Sequence, residues 1–315
     1  MRLIFVPQYP APMRYSEWWY NEFPREFRSR GFDVLKLGDK YLSIIQRAEP
    51  RMFSPIDESI RFECEQIKEF TNLKLYDDDM LFLSDISFPG LFANILFHKR
   101  CRKNFVFCHA TAINNFDYYS PVKTPKFGIE TCQASMFRKI FVGSFYHRDK
   151  LIRGSKELHW HNTVVTRLPY PPFPIVRNKN KIHFLCSASR PTKQKVNLDL
   201  EIEIEKLTGR QIYRINADSW QEYYDDLAVS KYLLITSSEE TFGYQVVDAI
   251  LNGCIPIAPN AFSYPELLPE THLYPQKAVA NKVIDVIDNI KDLPELKCKR
   301  EMDVFYDKLV YEMRE

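Results

Sequence analysis

At 315 residues the chain is long enough for two domains of about 150 residues, each able to bury its own core. Its 45% hydrophobic and 27% charged content excludes a low-complexity or disordered chain and fits an ordinary globular protein. The net charge is only +2, and no apolar run approaches the roughly 18 residues of a membrane span. The charge is nevertheless uneven: residues 1–165 carry a net +5 and the remainder −3, so an anionic partner for the first half and plain surface variation both stay open. Seven scattered cysteines lack CxxC spacing and read as reduced thiols. The opening MRLIFVPQYP holds too short an apolar stretch for a signal peptide, so a cytoplasmic protein is expected.

In chain order, Arg2 to Val6 reads as a strand, Glu17 to Arg30 as a helix stopped by Gly31, and Phe32 to Leu35 as a second strand. That is the strand-helix-strand opening of an open α/β sheet. The loop between them has three prolines and no glycine. Its Arg14, Tyr15 and Trp18, with Trp19, suit stacking on a flat or sugar-like acceptor; the alternative is that the tryptophans pack inward, and their adjacency predicts that only one does. Residues 37–76 are consistent with an inserted helix pair, of which Ile60 to Phe70 is the clearer member. Asp77, Asp78 and Asp79 precede the strand Met80 to Leu83, whereas a metal-binding acidic motif is expected after a strand, so they read as a solvated turn.

Pro89 to Lys99 is then a helix and Phe105 to Cys108 a strand that ends in His109. A histidine there is either a structural hydrogen-bonder or a site residue. Asp117, in the polar run after it, is placed to orient an acceptor hydroxyl or take its proton late in a reaction. A helix over Lys126 to Ser135, a strand over Ile140 to Gly143 and a further helix follow. His159 and His161 lack a third ligand and read as surface residues rather than a metal site. The proline-rich RLPYPPFPIVRNKN is a linker, dividing the chain into residues 1–168, a connector 169–180 and residues 181–315.

The second part opens with the strand Ile182 to Ala188, followed by the basic turn holding Arg190, Lys193 and Lys195. Gln211 to Ile215 is a strand with Asn216, a candidate contact for a nucleotide base, at its end; Asp218 to Leu227 is a helix. The most informative stretch is KYLLITSSEETFGYQVVDAILNGCIPIAPN, residues 231–260. A buried strand (Tyr232 to Ile235) runs into a polar bend. Thr241, Phe242 and Gly243 open a helix that Gly253 stops, and Cys254 to Ala258 is the next buried strand. Ligands of parallel sheets collect at such turns, beside helix N-termini whose free N–H groups suit phosphate, while a carboxylate there suits sugar hydroxyls. Ala278 to Ile290 and Glu295 to Met313 read as helices.

Glu240, Phe242-Gly243, Asp248 with seven residues between it and the first acid, and Gly253 followed by Pro256 resemble the donor-site signature of GT-B glycosyltransferases, in particular the large retaining family with two spaced acids. Asp248 stands where that family carries Glu. The resemblance implies an α/β fold of two Rossmann-like domains facing across a cleft, with the final helix crossing back onto the first. It implies that Glu240 holds the donor sugar and Asp248 the ribose, that Arg190 and Lys195 (or Lys193) grip the diphosphate together with N–H groups near Gly243, and that His109 contacts the transferred sugar. It further implies retention of configuration, a nucleotide-sugar substrate, no cofactor and no required metal. For the acceptor, the basic first half and Arg14, Arg25, Arg28 and Arg30 among aromatic residues point to a hydroxymethylated base in double-stranded DNA, as in phage-type DNA-modifying members. A cell-surface or lipid-linked glycan is the competing acceptor. A nucleotide-sugar epimerase and a non-catalytic nucleic-acid-binding module are the readings from other classes.

Overall fold

The fold is taken from a computed structural model, which describes residues 1–45, 55–86, 103–114, 123–155, 160–176, 180–188 and 196–315. They form two units. One comprises Met1–Val142, Arg148–Thr166 and Phe305–Glu315, and the other Gly143–His147 and Arg167–Val304.

The first unit is built on six parallel strands, β1 (Arg2–Val6), β2 (Asp33–Lys36), β3 (Met80–Leu83), β4 (Lys103–Phe107), β5 (Lys139–Val142) and β6 (Thr163–Val165), in the order β2-β1-β3-β4-β5-β6. A parallel sheet covered on both faces needs strands that are apolar throughout, which is why RLIFV, MLFL and KNFVF read as near-continuous hydrophobic runs. Helix α1 (Tyr15–Ser29) covers one face, where Phe5, Phe23, Phe27 and Phe82 pack ring to ring at 5.2–6.3 Å. Helices α2 (Asp39–Ile45), α3 (Pro55–Thr71), α4 (Lys123–Ala134) and α5 (Phe145–Gly154) follow in the chain, and the first residues of α5 belong to the second unit.

The second unit is a five-stranded parallel sheet of β7 (His183–Ser187), β8 (Tyr213–Arg214), β9 (Ser230–Leu234), β10 (Ile255–Pro259) and β11 (Leu273–Tyr274), in the order β11-β10-β9-β7-β8. Its helices are α6 (Leu198–Thr208), α7 (Trp220–Val229), α8 (Tyr244–Leu251), α9 (Ala280–Asn289) and α10 (Lys299–Asp303). Leu185, Ile204, Tyr232, Leu234, Ile257 and Val283 form its core. The proline-rich stretch has no helix or strand over its described residues. It is pinned by Tyr244, whose hydroxyl donates to the Pro169 carbonyl at 3.0 Å, and by Phe173, stacked on Trp220 at 5.0 Å.

Three expectations change. The helix expected over Glu295 to Met313 is two helices, α10 and α11 (Phe305–Arg314), and the chain passes from the second unit to the first at Val304–Phe305. There Phe305 and Tyr306 pack on Phe23 at 5.9 and 5.5 Å, while Lys139 pairs with Glu312 at 2.8 Å. The short strands β6 and β11 are additional. The helix expected over Pro89 to Lys99 lies outside the described residues. Most instructively, Asp79 is not solvated. Because Leu3 is level with Met80 in the parallel register, Arg2 is level with Asp79, and the guanidinium donates to both carboxylate oxygens of a buried side chain, at 2.9 Å to Oδ1.

Burial opposes ionisation of Asp79, but the hydrogen bonds from Arg2 and the Tyr76 N–H outweigh it and hold its pKa below the ordinary value. A lowered folded-state pKa stabilises the fold above the unfolded pKa, and that stabilisation is lost as pH falls through the folded one. Asp79→Asn should therefore lower stability at pH 7 by about 1–3 kcal/mol in urea unfolding. The gap to the parent should close as pH falls below about 4; a gap independent of pH contradicts the ion pair.

Candidate active site

The turn between β9 and α8 carries Glu240, Thr241, Phe242 and Gly243 at the C-terminal end of the second sheet. One oxygen of the half-buried Glu240 carboxylate accepts the N–H groups of Thr241 at 2.8 Å and Phe242 at 3.3 Å, so the acid closes the turn it sits on. Gly243 then takes φ +98°, and a Cβ on it would lie 3.1 Å from the Tyr264 ring and 3.2 Å from Leu267. Only glycine supplies both that backbone geometry and that close approach. Thr241 and Phe242 are buried. The Thr241 carbonyl accepts from Ser144, and the Phe242 carbonyl accepts from Ser263 at 2.8 Å. These two residues therefore hold the turn in place rather than offering side chains to a ligand. Burial first, and then the charge of Glu240, push the Tyr264 phenol well above its usual pKa, so it remains a neutral wall beneath the turn.

Asp248, on α8, is only 4% exposed, and the Tyr224 hydroxyl donates to its Oδ1 at 3.1 Å. The alternative of a solvated helix residue is therefore corrected: the side chain to which the resemblance assigns the ribose is buried and accepts from α7. Gln245, one helix turn earlier, donates to the Ala188 carbonyl at 2.8 Å. That bond ties the start of α8 to the end of β7, next to the residues that precede the basic turn. Arg190, Lys193 and Lys195 themselves lie outside the described residues. Asn216 is exposed just beyond β8.

Sequence reasoning missed Glu201. It is fully buried, accepts from Thr236 at 3.0 Å and Ser187 at 3.4 Å, and pairs with Arg214 at 3.3 Å. Burial outweighs these partners and raises its pKa. By bridging the ends of β7 and β9 it supports the rim on which the turn stands. Glu266, noted only as the acid closing a loop, accepts the N–H groups of Phe145 at 3.0 Å and Tyr146 at 2.7 Å and pairs with Arg167.

In the first unit, His109 follows β4 and stands against the first residues of α1. The Tyr15 ring lies 3.6 Å from the imidazole, centroid to centroid, with 31° between the planes, and Trp19 meets the imidazole edge-on at 5.7 Å. Trp18 and Trp19 are 6% and 1% exposed and pack edge to face at 6.0 Å, so both are core and Trp18 is no acceptor platform. Helix α1 is covered by α11 as well as by the sheet, with Phe23 packed on Tyr306 at 5.5 Å and on Phe5 at 6.0 Å. Arg14 is exposed. Arg25 is paired with Glu22 and Glu26, and Arg30 with Glu26 and Asp307, so these cations are partly neutralised. Asp117 and His159 lie outside the described residues. Among the described residues no group of three or more His, Cys, Asp or Glu side chains is placed to hold a metal ion, and no helix is long and apolar enough to cross a membrane.

No protein-family model matches the chain. HepE from Anabaena, solved with UDP and glucose, superposes over 100% of this chain and 97% of its own with a TM-score of 0.61 at 14% identity. The lipopolysaccharide outer core galactosyltransferase WaaB gives 0.63 over 100% and 98% at 14% identity. Sucrose-phosphate synthase from Thermosynechococcus elongatus gives 0.64 over 100% and 94% at 10%. The fold is therefore that of the GT-B glycosyltransferases, two parallel-sheet α/β domains. Among curated proteins, 130 residues are 25% identical to the tRNA-queuosine alpha-mannosyltransferase of Drosophila melanogaster, a stretch that is 41% of this chain and spans about a third (33%) of that relative's length.

Gly243→Ala tests the turn directly. The left-handed geometry alone should cost about 1–2 kcal/mol in urea unfolding, with the contact on Tyr264 added to it. An unchanged midpoint contradicts the close approach.

Proposed function

We propose that the protein is a cytoplasmic glycosyltransferase that moves a sugar from a nucleotide-sugar donor, a UDP-sugar in the first instance, to a hydroxyl borne by a nucleic acid, with retention of configuration. The observation that carries this reading is the Glu240–Gly243 turn at the strand ends of the second sheet, in a chain whose whole length superposes on a protein solved with UDP-glucose. The turn offers what an activated sugar needs: a carboxylate with one oxygen already committed to its own turn and the other left to accept sugar hydroxyls, directly before a helix N-terminus.

In the proposed reaction the bond between the anomeric carbon and the diphosphate oxygen breaks, and that oxygen keeps the electron pair. The acceptor oxygen forms the new bond on the same face and passes its proton to the departing phosphate. Arg190 and Lys195, with Lys193 as the rival, balance the charge that develops on the leaving group, and His109 contacts the transferred sugar. No side-chain nucleophile and no metal is required by this scheme. Asp248 is the member of the signature that the geometry favours least, because its carboxylate is bound by Tyr224.

Two acceptors follow from different observations. The mannosyltransferase likeness favours a modified nucleoside in tRNA. The positive first half favours an acceptor within a polyanion, and a hydroxymethylated base in DNA remains the reading drawn from the sequence.

Nucleoside diphosphate release across a panel of sugar donors, with hydroxymethylated DNA, queuosine-containing tRNA or neither, tests both levels. Release stimulated by one nucleic acid, and weakening with salt, is the expected result. Silence on every donor rejects the transferase; interconversion of a donor without any acceptor marks an epimerase, and stimulation by glycans alone marks the surface-glycan reading. Arg190→Ala and Lys195→Ala should each lower the rate roughly 10- to 150-fold, the loss of one charge-assisted hydrogen bond of about 1.5–3 kcal/mol. Glu240→Gln, which keeps an oxygen for the Thr241 and Phe242 N–H groups, should leave the unfolding midpoint in place while the rate falls.

A further inference from the structure

His109 is held at its backbone from both sides. The N–H of Cys108 before it donates to the Phe141 carbonyl at 2.7 Å. Three residues after it, the Ala112 N–H donates at 2.8 Å to Glu130, a buried carboxylate that Lys126 pairs at 2.6 Å. These bonds place the Cα–Cβ bond of His109. The imidazole is in turn packed against neighbouring rings.

What packs there comes from the loop after β1. Gln66 donates to the Pro7 carbonyl at 2.8 Å, the Gln8 N–H donates to Ser84 Oγ at 2.7 Å, and the Gln8 amide donates to Asp85 at 2.6 Å. The Met13 N–H donates to Glu17 at 2.8 Å. This tethered loop delivers Tyr15 as the first residue of α1. Its ring lies against His109 at 3.6 Å and against Trp19 at 4.7 Å, and Trp19 closes the triangle on His109 at 5.7 Å with the planes at 88°. Trp19 is itself fixed by Phe23 at 5.0 Å and Phe107 at 5.2 Å. The imidazole therefore rests on an aromatic surface whose own rotamers are set by the core.

We propose that Tyr15 is a positioning residue for transfer: its ring holds the His109 imidazole in one orientation toward the transferred sugar, rather than stacking on the acceptor. This deepens the transferase reading and rests on it. An orientation set by ring contact needs the flat ring and not the hydroxyl, and losing it lowers the fraction of bound complexes in reactive geometry while leaving substrate binding intact.

The test compares Tyr15→Leu, Tyr15→Phe, His109→Ala and the Tyr15→Leu/His109→Ala double variant, using the donor and acceptor that the release assay selects. Tyr15→Leu should lower kcat roughly 10- to 100-fold with the KM of both substrates within about twofold. Tyr15→Phe should recover most of that loss, and the double variant should be no slower than His109→Ala alone. In the proton NMR spectrum of histidine-labelled protein, the His109 ring protons should be shifted upfield by the stacked phenol. The shift should survive in Tyr15→Phe and vanish in Tyr15→Leu, which an effect on global stability alone does not produce. A raised acceptor KM with kcat unchanged, additive with His109→Ala, overturns the proposal in favour of acceptor stacking. Normal turnover by Tyr15→Leu despite loss of the upfield shift overturns it outright. In both cases the wild-type protein is active and the transferase reading stands, whereas a wild-type protein inactive with every donor fails both.

Discussion

The turn after β9 is the constraint on which the rest of the second unit depends. A single carboxylate oxygen of Glu240 gathers two consecutive backbone N–H groups, and the chain can leave that turn only through Gly243 at φ +98°. The space for this departure is shaped around the Tyr264 ring, and the carbonyls of Thr241 and Phe242 are taken by serines from two other segments, Ser144 and Ser263. An acid at a strand end is ordinarily free to swing. Here it is part of the backbone's own hydrogen-bond network, so its remaining oxygen points where the turn dictates. Rigid first-contact groups cost no reorganisation when a ligand arrives, which is the physical advantage of holding a carboxylate this way.

The support beneath the turn is polar and buried, and it reaches sideways through the sheet. Glu201 collects the hydroxyls of Ser187 and Thr236 from neighbouring strands, with Arg214 as its counter-charge. Gln245 and Tyr224 do the same for α8, one by gripping the end of β7 and the other by holding Asp248 inward. Such networks stabilise little when complete and cost much when broken, so their main effect is to specify one arrangement of the rim.

Much of the sheet architecture was legible because strands buried on both faces leave uninterrupted apolar runs: RLIFV and MLFL were delimited to the residue. The turn after β9 was legible for a different reason, since Phe242-Gly243 after two acids, and Gly253 with Pro256 three residues beyond it, constrain the backbone as well as the chemistry. What could not be read depended on partners distant in sequence. Three adjacent aspartates look alike until the register of β1 against β3 singles out Asp79 for Arg2. The sequence around α1 likewise does not show that Phe23 has a second partner in Tyr306 of α11, nearly three hundred residues later. The break at Val304 has no glycine or proline to announce it, and arises because Phe305 is needed against Phe23 and Phe107.

That last feature sets an order on biogenesis. The first unit takes its closing helix from beyond the second sheet in the sequence, so a nascent polypeptide on the ribosome carries an uncovered Phe23 on α1 while that sheet is being made. The later sheet can mature as it emerges; the earlier one must wait for the ribosome to reach Arg314. During that interval Phe23 lacks its Phe305 and Tyr306 partners, an exposed ring of the kind chaperones cover.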